Sequence, residues 1–454
     1  MTRNGKRKTK KQKSVPFIEP DAAGIDIGAT EIYVAVPEER DNRPVRKFAT
    51  FTEDLHALAD WLIACAIKTV AIESTGVYWI ALFQILECRG LEVCLVNARH
   101  VKGVPGRKTD IQDCQWLQYL HTVGLLRGSF RPAEAVCAVR SILRHRDTLL
   151  QSASSQVLLM QKALTQMNLQ LHNVISDITG VSGLAIIDAI LLGEREPSKL
   201  AGLCDARIKA SRQVVAKSLV GDYRPEHLFC LQQALASYRH FQNLIAACDE
   251  HIEAMLACFD SHEQCAEAPS TKYKAQGNQP AFDVPSEMHR ILGVDLTGIP
   301  GMSAQGVLSF FCEVGPQITR FPSSRHFASW LGLCPDNRIS GGKILSSKTR
   351  NVRCRLANAL RMAATTLYRS HSSLGDYFRR LRAKLGSPSA ITAAAHKLAR
   401  ILFAMLRDRR SFDPQLLGIL NEKHLRRRQN SLRKYAASLG FELVPIQNLA
   451  HSVS

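Results

Sequence analysis

The chain has 454 residues, of which 46% are hydrophobic and 22% charged, with a formal net charge of +19. This length predicts two or three domains with sizeable cores, and the composition excludes a globally disordered chain. No run of about 18 uncharged apolar residues occurs, and the basic N-terminal stretch contains no apolar core. We therefore expect a soluble, cytoplasmic protein that does not associate with membranes.

The positive charge is concentrated in one part of the chain. Residues 320–435 contain 25 lysines and arginines against 5 acidic residues, an excess of +20, whereas the remainder sums to about −1. An excess of this size favours a polyanion such as nucleic acid as partner over a merely solubilising surface. The thirteen cysteines form no C-x-x-C pair, so we expect small buried thiols in a reducing compartment.

The N-terminal part predicts an α/β domain over residues 19–128, after a disordered basic arm at 1–18. Apolar runs predict strands, and amphipathic stretches with Gly90 as a terminator predict helices. Thr52, followed by two acids, is expected to cap the first helix. The strands are expected at 22–36 (two runs), 46–52, 69–74 and 91–97, and the helices at 52–65, 77–90 and 106–120. This order, βββαβαβα, is typical of one mixed α/β domain.

The rest of the chain predicts mainly helical structure. Long helical patterns at 133–178 and 225–260 predict an antiparallel coiled-coil arm within a helical region at 129–260. Residues 261–286 are polar and interrupted by proline and glycine, which indicates a flexible linker. A C-terminal domain at 287–412 and a basic tail at 413–454 follow. The fold class is therefore α/β plus α.

A short sequence pattern occurs twice. The segments TGVSGLAIIDAILLGE (179–194) and TGIPGMSAQGVLSFFCEVG (297–315) each place T-G-[IV]-x-G before an apolar helix. The second copy is helix-hairpin-helix-like, and its glycine turn followed by a helix N-terminus is suited to binding phosphate. An ordinary helical corner is the alternative for both copies.

Four carboxylates form the most informative pattern. Asp110 and Asp113 begin the helix predicted from GRKTDIQDCQWLQYL (106–120) and share a stripe with the apolar Leu117 and Leu120. They are either acids at the positive end of a helix or inward-facing carboxylates, which need a cation. Lys108 could supply that charge, but a divalent ion serves two acids better.

Two further acids lie in predicted buried strands, where acids are disfavoured. Asp26 stands between Ile25 and Ile27, and Glu73 ends the apolar run VAIE. An acid on each of two strands together with a D-x-x-D helix can hold hard cations through oxygen ligands. Two such ions could activate a nucleophile and stabilise the leaving oxygen in phosphodiester chemistry.

The motifs GIDIG, AIESTG and KTDIQD resemble the RuvC-like DEDD domain of bacterial insertion-sequence transposases of the one-ten family. Residues 179–260 are more similar to its eleven-eleven branch. The resemblance implies an RNase H-like fold and Mg²⁺ held by Asp26, Glu73, Asp110 and Asp113. Cys114 stands where the family more often has alanine, a change that concerns packing.

The segment HFASWLGLCPDNRISGGKILSSKTRNVRCRLANALRMAA (326–364) resembles the serine transposase domain of the same family. The resemblance implies that Ser340 is the nucleophile; from the residues alone Ser346 and Ser347 would be equal rivals, and a turn serine is the simplest reading. Cys334 replaces the usual threonine before the proline. The expected phosphate contacts are basic residues that follow the serine, namely Lys343, Lys348, Arg350, Arg353 and Arg355.

The family resemblance implies cutting and rejoining of donor and target DNA through a transient 5′-phosphoserine link. It also implies guidance by a structured non-coding bridge RNA and assembly as dimers and tetramers, in which the acid domain of one subunit meets the serine domain of another. Bacterial, nucleoid-associated localisation follows. Two alternatives remain: an RNase H-like nuclease that cuts branched DNA with metal-activated water, and a catalytically inactive regulator that binds nucleic acid.

Overall fold

The computed structural model describes residues 17–97, 109–262, 273–275, 277–352, 354–414, 426 and 429–442. The chain forms two compact units, residues 1–131 and residues 132–454. The predicted basic arm at 1–18 lies almost entirely outside the described residues, as does Lys108.

The N-terminal unit is built on a five-stranded sheet in the order β3-β2-β1-β4-β5. Strands β1, β2 and β3 pair antiparallel, whereas β4 and β5 extend the sheet in parallel from β1. The strands are β1 (Ala22–Ile27), β2 (Glu31–Ala35), β3 (Val45–Ala49), β4 (Thr69–Glu73) and β5 (Glu92–Val96). The helices are α1 (Thr52–Ala64), α2 (Trp79–Cys88) and α3 (Asp110–Thr122). Among the described residues the predicted order βββαβαβα is the order observed, and the unit is a mixed α/β domain.

The two faces of β1 have different neighbours because side chains alternate along a strand. Ala23, Ile25 and Ile27 belong to the larger apolar core, which they share with residues of α1 and α2. On the opposite face, Gly24 lies directly under the backbone of α3. Asp26 has the parity of Gly24, so the packing of the isoleucines in the core keeps it on the α3 face.

The cap of α1 differs from the sequence expectation, whereas α3 has a side-chain cap. Helix α1 begins at Thr52 itself, with Phe51 in the N-cap position and no side-chain cap hydrogen bond, so the prediction that Thr52 caps it is wrong. Thr109 does cap α3, because its hydroxyl oxygen accepts a hydrogen bond from the Gln112 amide. Phe51 has extended backbone geometry and Thr52 is already helical, so the N-cap lies one residue before the position predicted from the sequence.

The C-terminal unit is mainly helical. Its helices are α4 (Glu134–Gln166), α5 (Leu171–Val174), α6 (Val181–Leu191), α7 (Pro197–Gly202), α8 (Arg212–Ser218), α9 (Pro225–Ala257), α10 (Val284–Leu292), α11 (Ala304–Val314), α12 (Ser324–Trp330), α13 (Arg355–Thr366), α14 (Ser373–Leu385) and α15 (Ser387–Asp408). Short 3-10 turns occur at Glu38–Arg40 in the first unit and at Ile318–Arg320 and Leu367–Arg369 in the second. Helix α10 begins inside the predicted 261–286 linker, because Asp283 accepts the Ser286 amide and starts the helix there.

The two 33-residue helices α4 and α9 pack along each other in antiparallel directions. One buried cluster joins Leu149 and Ala153 to Ile245 and Cys248, and another joins Met160 and Leu164 to Leu231 and Leu235. Arg146 and Asp249 form a bidentate ion pair between the helices, with Nε–Oδ1 and Nη2–Oδ2 distances of 2.5 and 3.0 Å. The predicted arm is therefore an antiparallel helix pair, and its coiled-coil character stays a prediction.

The repeated T-G-[IV]-x-G pattern has two different structures. In both copies an aspartate two residues before the threonine, Asp177 or Asp295, accepts hydrogen bonds from the threonine amide and hydroxyl. In the first copy α6 starts immediately after Gly180, whereas in the second α11 starts only at Ala304. Proline at position 300 disfavours helical backbone at the residue before it, so the second copy keeps its turn.

Helix α15 is long and apolar enough, by length and composition, to cross a membrane. Half of its most apolar stretch is buried within the protein. The helix packs against α12, α13 and α14. Leu398, Leu402 and Leu406 of this helix are almost completely buried. The core helix of a globular domain has the same features, so this helix is weak evidence for a membrane span.

Candidate functional site

Asp26 and Glu73 lie at corresponding positions of two neighbouring parallel strands. Ile25 of β1 pairs with Ile72 of β4, and each acid follows its isoleucine by one residue. Both side chains are half-buried. Thr75 donates a hydrogen bond from its hydroxyl to Glu73 Oε1 over 3.0 Å. The sheet register therefore brings these two predicted ligands to the same edge of the sheet, at the carboxyl ends of β1 and β4.

Helix α3 brings the other two acids to this edge because glycine allows a close approach. A Cβ atom at Gly24 would lie 2.2 Å from the Gln118 amide nitrogen and 2.4 Å from the Cys114 carbonyl oxygen. Helix α3 can therefore cross β1 at this distance only if residue 24 is glycine. Asp113 is half-buried, whereas Asp110 is exposed in the first turn of the helix.

The four acids interact electrostatically. The pKa of Asp26 is raised to about 6, first by burial and then by the neighbouring carboxylates of Asp110, Glu73 and Asp113, in that order. Like charges near a half-buried carboxylate disfavour its ionised form. The structure thus brings the other three sequence-predicted acids within electrostatic reach of Asp26.

The same acids do not form a closed ligand cage. Among the described residues, no group of three His, Cys, Asp or Glu side chains is close enough to hold a metal ion. The two observations agree, because Coulomb effects extend further than the 2–2.5 Å or so of a coordination bond. Carboxylate oxygens are the donors that Mg²⁺ prefers, so the donor set fits this ion. The role of the acids as ligands stays a prediction.

Cys114 lies beneath the acids and belongs to the packing of the domain. It is completely buried, and its thiol donates to the Ile111 carbonyl oxygen. Burial, assisted by the charge of Asp26, raises the pKa of the Cys114 thiol to about 12. A thiol this hard to ionise is a poor metal ligand or nucleophile, so it serves as a small apolar side chain.

Ser340 lies at the end of a small exposed hairpin. Strands β6 (Arg338–Ser340) and β7 (Lys343–Ser346) are joined by Gly341 and Gly342, whose φ angles are +54° and +75°. Two successive positive φ values make a tight two-residue turn that glycine adopts without strain. Ser340 pairs with Lys343 across this turn. The serine is therefore accessible to a large substrate.

The environment of Ser346 differs from that of the other two candidate serines, Ser340 and Ser347. Ser346 accepts a hydrogen bond from the Lys348 amide, so its hydroxyl has a structural contact. Within the described residues the Ser340 hydroxyl makes no side-chain hydrogen bond, and no base contacts it. Ser340 and Ser347 are both exposed. Ser340 as nucleophile stays a prediction, and it needs activation from elsewhere.

The predicted phosphate-binding residues separate into two groups, and Arg353 lies outside the described residues. Lys343 and Lys348 belong to the serine hairpin or its base and are exposed. Arg350 and Arg355 instead line a cleft of about 710 Å³ in the C-terminal unit. Their nucleic-acid contacts stay a prediction.

Sequence reasoning missed two further arginines of this cleft, Arg144 and Arg361. Arg361 lies only six residues after Arg355, but Arg144 belongs to the long helix α4. Arg140, Arg144 and Asp147 stand four and three residues apart, which places them on one helical face. This charged face of α4 is the feature of the sequence that could have identified Arg144.

Comparisons with known proteins match both halves of this arrangement. A transposase family model named for the DEDD domain of IS110 elements matches residues 23–169, which include the four acids. A second model, described as "Transposase IS116/IS110/IS902 family", matches residues 295–379, which include Ser340. The chain belongs to the IS110 transposase family. The acids and the serine fall in separately matched regions, and they lie in separate compact units of this chain.

One curated relative supports the same family. It is the "Insertion element IS110 uncharacterized 43.6 kDa protein" of Streptomyces coelicolor, 30% identical over 115 residues. The match covers 25% of this chain and 28% of the relative. Its name describes an insertion-element protein of IS110, and the matched part is about a quarter of either chain.

Proposed function

We propose that the chain is the DNA transposase of an insertion sequence, which cuts and rejoins DNA through a serine nucleophile assisted by bound Mg²⁺. The observation that carries the proposal is the convergence on Asp26 of three carboxylates, Glu73 from β4 and Asp110 and Asp113 from α3. Together with burial, they raise the pKa of Asp26 to about 6. Holding like charges together costs stability, so such a cluster favours a functional role over a structural one.

The sheet topology supports an RNase H-like identity for the N-terminal unit. The order β3-β2-β1-β4-β5, with an antiparallel trio and two parallel additions, is the arrangement expected for that fold. Asp26 on the central strand, Glu73 on its parallel neighbour and an acidic helix over them would supply oxygen ligands. Bound divalent ions would stabilise charge on the phosphoryl oxygens and on the attacking and leaving oxygens.

The residues of the C-terminal unit have complementary roles in this proposal. Ser340 on its glycine turn would attack the phosphodiester, forming a bond from its Oγ to phosphorus while a DNA hydroxyl leaves. Lys343, Lys348 and the arginines that follow would hold the DNA phosphates. The resulting phosphoserine ester keeps the energy of the broken bond, so a second DNA hydroxyl can displace the serine and complete rejoining.

The finer parts of the proposal are guidance by a structured bridge RNA and assembly as dimers or tetramers. Support for RNA guidance is the family resemblance together with the +20 excess of residues 320–435. If base pairing reads the sequence, the protein needs contacts to backbone and shape alone. A basic surface that contacts the phosphate backbone suits that division.

One observation favours a second candidate function. Within the described residues no base contacts the Ser340 hydroxyl, so metal-activated water could replace the serine as the attacking group. The chain would then be a nuclease of branched DNA that leaves hydrolysed ends and joins nothing.

The test is strand exchange by the purified full-length protein with its co-purifying RNA. Supercoiled DNA carrying the chain's coding region with its flanks is incubated with Mg²⁺, and joined products are sequenced. We expect joined products that disappear with Asp110→Asn or Asp113→Asn and persist with Asp60→Asn, whose carboxylate is an exposed partner of Arg89. Cleavage without joining would favour the nuclease, and binding without breakage a regulator. Absence of a discrete co-purifying RNA would contradict the guided part.

A further inference from the structure

The cleft in the C-terminal unit joins parts of the chain that are far apart in sequence. Helix α4 contributes Arg144, the loop before α13 contributes Arg350, and α13 contributes Arg355, Asn358 and Arg361. We call this set the arginine cleft. Its volume is about 710 Å³, and Val352 is its one apolar lining residue among those described. A lining of this kind suits a charged ligand and offers almost nothing to an apolar one.

Two carboxylates hold two of the guanidinium groups in place. Glu313 Oε1 accepts from Arg144 Nη2 over 2.7 Å, and Asp147 Oδ2 accepts from Arg355 Nη1 over 2.5 Å. Each guanidinium has five N–H donors, so one such bond leaves most donors for another partner. The carboxylates therefore orient these arginines without using up their hydrogen-bonding capacity.

The other two arginines are not matched by acids. Arg350 donates to the Ser329 carbonyl oxygen over 2.6 Å, and Arg361 donates to the Asn358 side-chain oxygen over 3.1 Å. In the described part of the chain neither forms an ion pair with a carboxylate. Four guanidinium groups thus face two carboxylates, and the cleft keeps a net positive charge. A purely structural salt-bridge network would instead be close to neutral.

We propose that the arginine cleft binds phosphodiester groups of a nucleic-acid backbone, with Arg144 and Arg361 as binding residues beside Arg350 and Arg355. The planar fork of arginine matches two phosphate oxygens at once. The proposal deepens the proposed function and rests on it, because it names where this unit would hold its polyanion.

The location of the cleft has a consequence for the helix pair. Arg144 and Asp147 lie on α4, whereas their partners Glu313 and Arg355 lie on α11 and α13. A backbone bound in the cleft would contact the base of the long helix pair and the serine-bearing domain together. We therefore expect Arg144, although it belongs to the helix pair, to affect nucleic-acid binding as strongly as the arginines of α13.

The test measures binding of the full-length protein, freed of RNA, to DNA and RNA of one length and sequence, single-stranded and duplex, over a range of salt concentrations. Each lost phosphate contact lowers the slope of log affinity against log salt by about 0.9 for duplex DNA and about 0.7 for single strands. We expect Arg361→Gln and Arg144→Gln each to reduce the slope by about that amount and to weaken binding roughly tenfold. The polymer whose slope falls, DNA or RNA, is the ligand of the cleft.

Matched variants separate a binding role from a structural one. Arg361→Lys keeps the charge but loses the fork, so the slope should stay while affinity falls. Arg207→Gln removes an arginine whose side chain is 84% exposed and paired with Asp205 elsewhere in this unit, and it should match the wild type. Thermal midpoints of all variants control for folding.

Unchanged slopes for Arg361→Gln and Arg144→Gln on every polymer would overturn the proposal. This result would leave strand exchange untouched as a test of the proposed function. Conversely, reduced slopes in a protein that performs no strand exchange would support the cleft and contradict the transposase activity.

Discussion

The two units of the protein treat buried charge in opposite ways. In the C-terminal unit, Arg146 and Asp249 are each at most 5% exposed and form a two-bond ion pair. Arg146 also donates to the Asn278 carbonyl oxygen, and Asp249 accepts the Ala281 amide. In the N-terminal unit, half-buried Asp26 is instead surrounded by three further carboxylates. The paired charges serve architecture, whereas the gathered like charges destabilise the fold unless a cation joins them.

The first prediction concerns strand-exchange activity, for which we expect the largest effect of a substitution. Asp26→Asn should reduce strand exchange by at least about 100-fold, because losing one ligand removes several kcal/mol of transition-state stabilisation. The measurement is the initial rate of joined-product formation at saturating Mg²⁺. Asp60→Asn in the same unit is the control and should keep the wild-type rate. An Asp26→Asn protein as active as this control would contradict a catalytic role for the four carboxylates.

The second prediction tests the architectural side. Arg146→Met should lower the free energy of unfolding of the C-terminal unit by roughly 3–5 kcal/mol, because it leaves Asp249 as an unpaired buried charge. Denaturant unfolding followed by circular dichroism measures the loss. Arg146→Met with Asp249→Leu should recover much of it. If the single variant costs no more than Arg207→Gln, the pair is not a stabilising element.

The third prediction is that removing a half-buried charge stabilises the N-terminal unit, the opposite of the effect expected for Arg146→Met. The pKa of Asp26 rises from 3.8 to about 6 on folding. The unfolded chain therefore loses this proton first, and stability is lost as the pH rises from about 4 to about 6. Above pH 6 the full penalty is present. Asp26→Asn should remove it and stabilise the unit by roughly 1–2 kcal/mol at pH 7, after discounting for partial exposure.

The measurement is thermal unfolding in a metal chelator at pH 4 and pH 7, with Asp60→Asn as control. The stabilising effect should be small at pH 4 and present at pH 7. Added Mg²⁺ should reverse the order, because the wild type would then gain the bound ion. Destabilisation by Asp26→Asn at pH 7 in chelator would contradict the account of gathered charges.

The fourth prediction expects almost no effect on stability. Ser340→Ala should change the free energy of unfolding by less than about 0.5 kcal/mol, because the hydroxyl is exposed and makes no side-chain hydrogen bond within the described chain. Chemical denaturation of the variant beside the wild type measures it. Ser346→Ala should cost slightly more, since Ser346 accepts the Lys348 amide. A large loss for Ser340→Ala would make that serine structural.

Local sequence patterns were sufficient to predict the order of strands and helices in the N-terminal unit. Strands β1 and β4 are short apolar runs, and the acids inside them, Asp26 and Glu73, are conspicuous where apolar residues prevail. The closeness of α3 to β1 was not predicted, because the role of Gly24 depends on which helix crosses it. The cap of α1 was predicted wrongly, since Thr52 and Thr109 are equally good cap residues in sequence and only the backbone geometry distinguishes them.

The arginine cleft could not be predicted from local patterns. Arg144 and Glu313 are 169 residues apart, and their contact depends on how α4 packs against α11. The start of α10 was obscured for a different reason. Asp283 and Pro285 read as linker residues, although aspartate at a cap and proline in the first turn are also typical of a helix N-terminus.

The measurement that tests the central claim most directly is the identification of a covalent protein–DNA adduct. Full-length protein with its RNA is incubated with DNA and Mg²⁺, denatured and digested, and the modified peptide is sequenced by mass spectrometry. The account predicts a nucleotide ester on the Oγ of Ser340 that is absent in Ser340→Ala and in Asp26→Asn. An ester on Ser346 or Ser347, or DNA breakage with hydrolysed ends in Ser340→Ala, would contradict it.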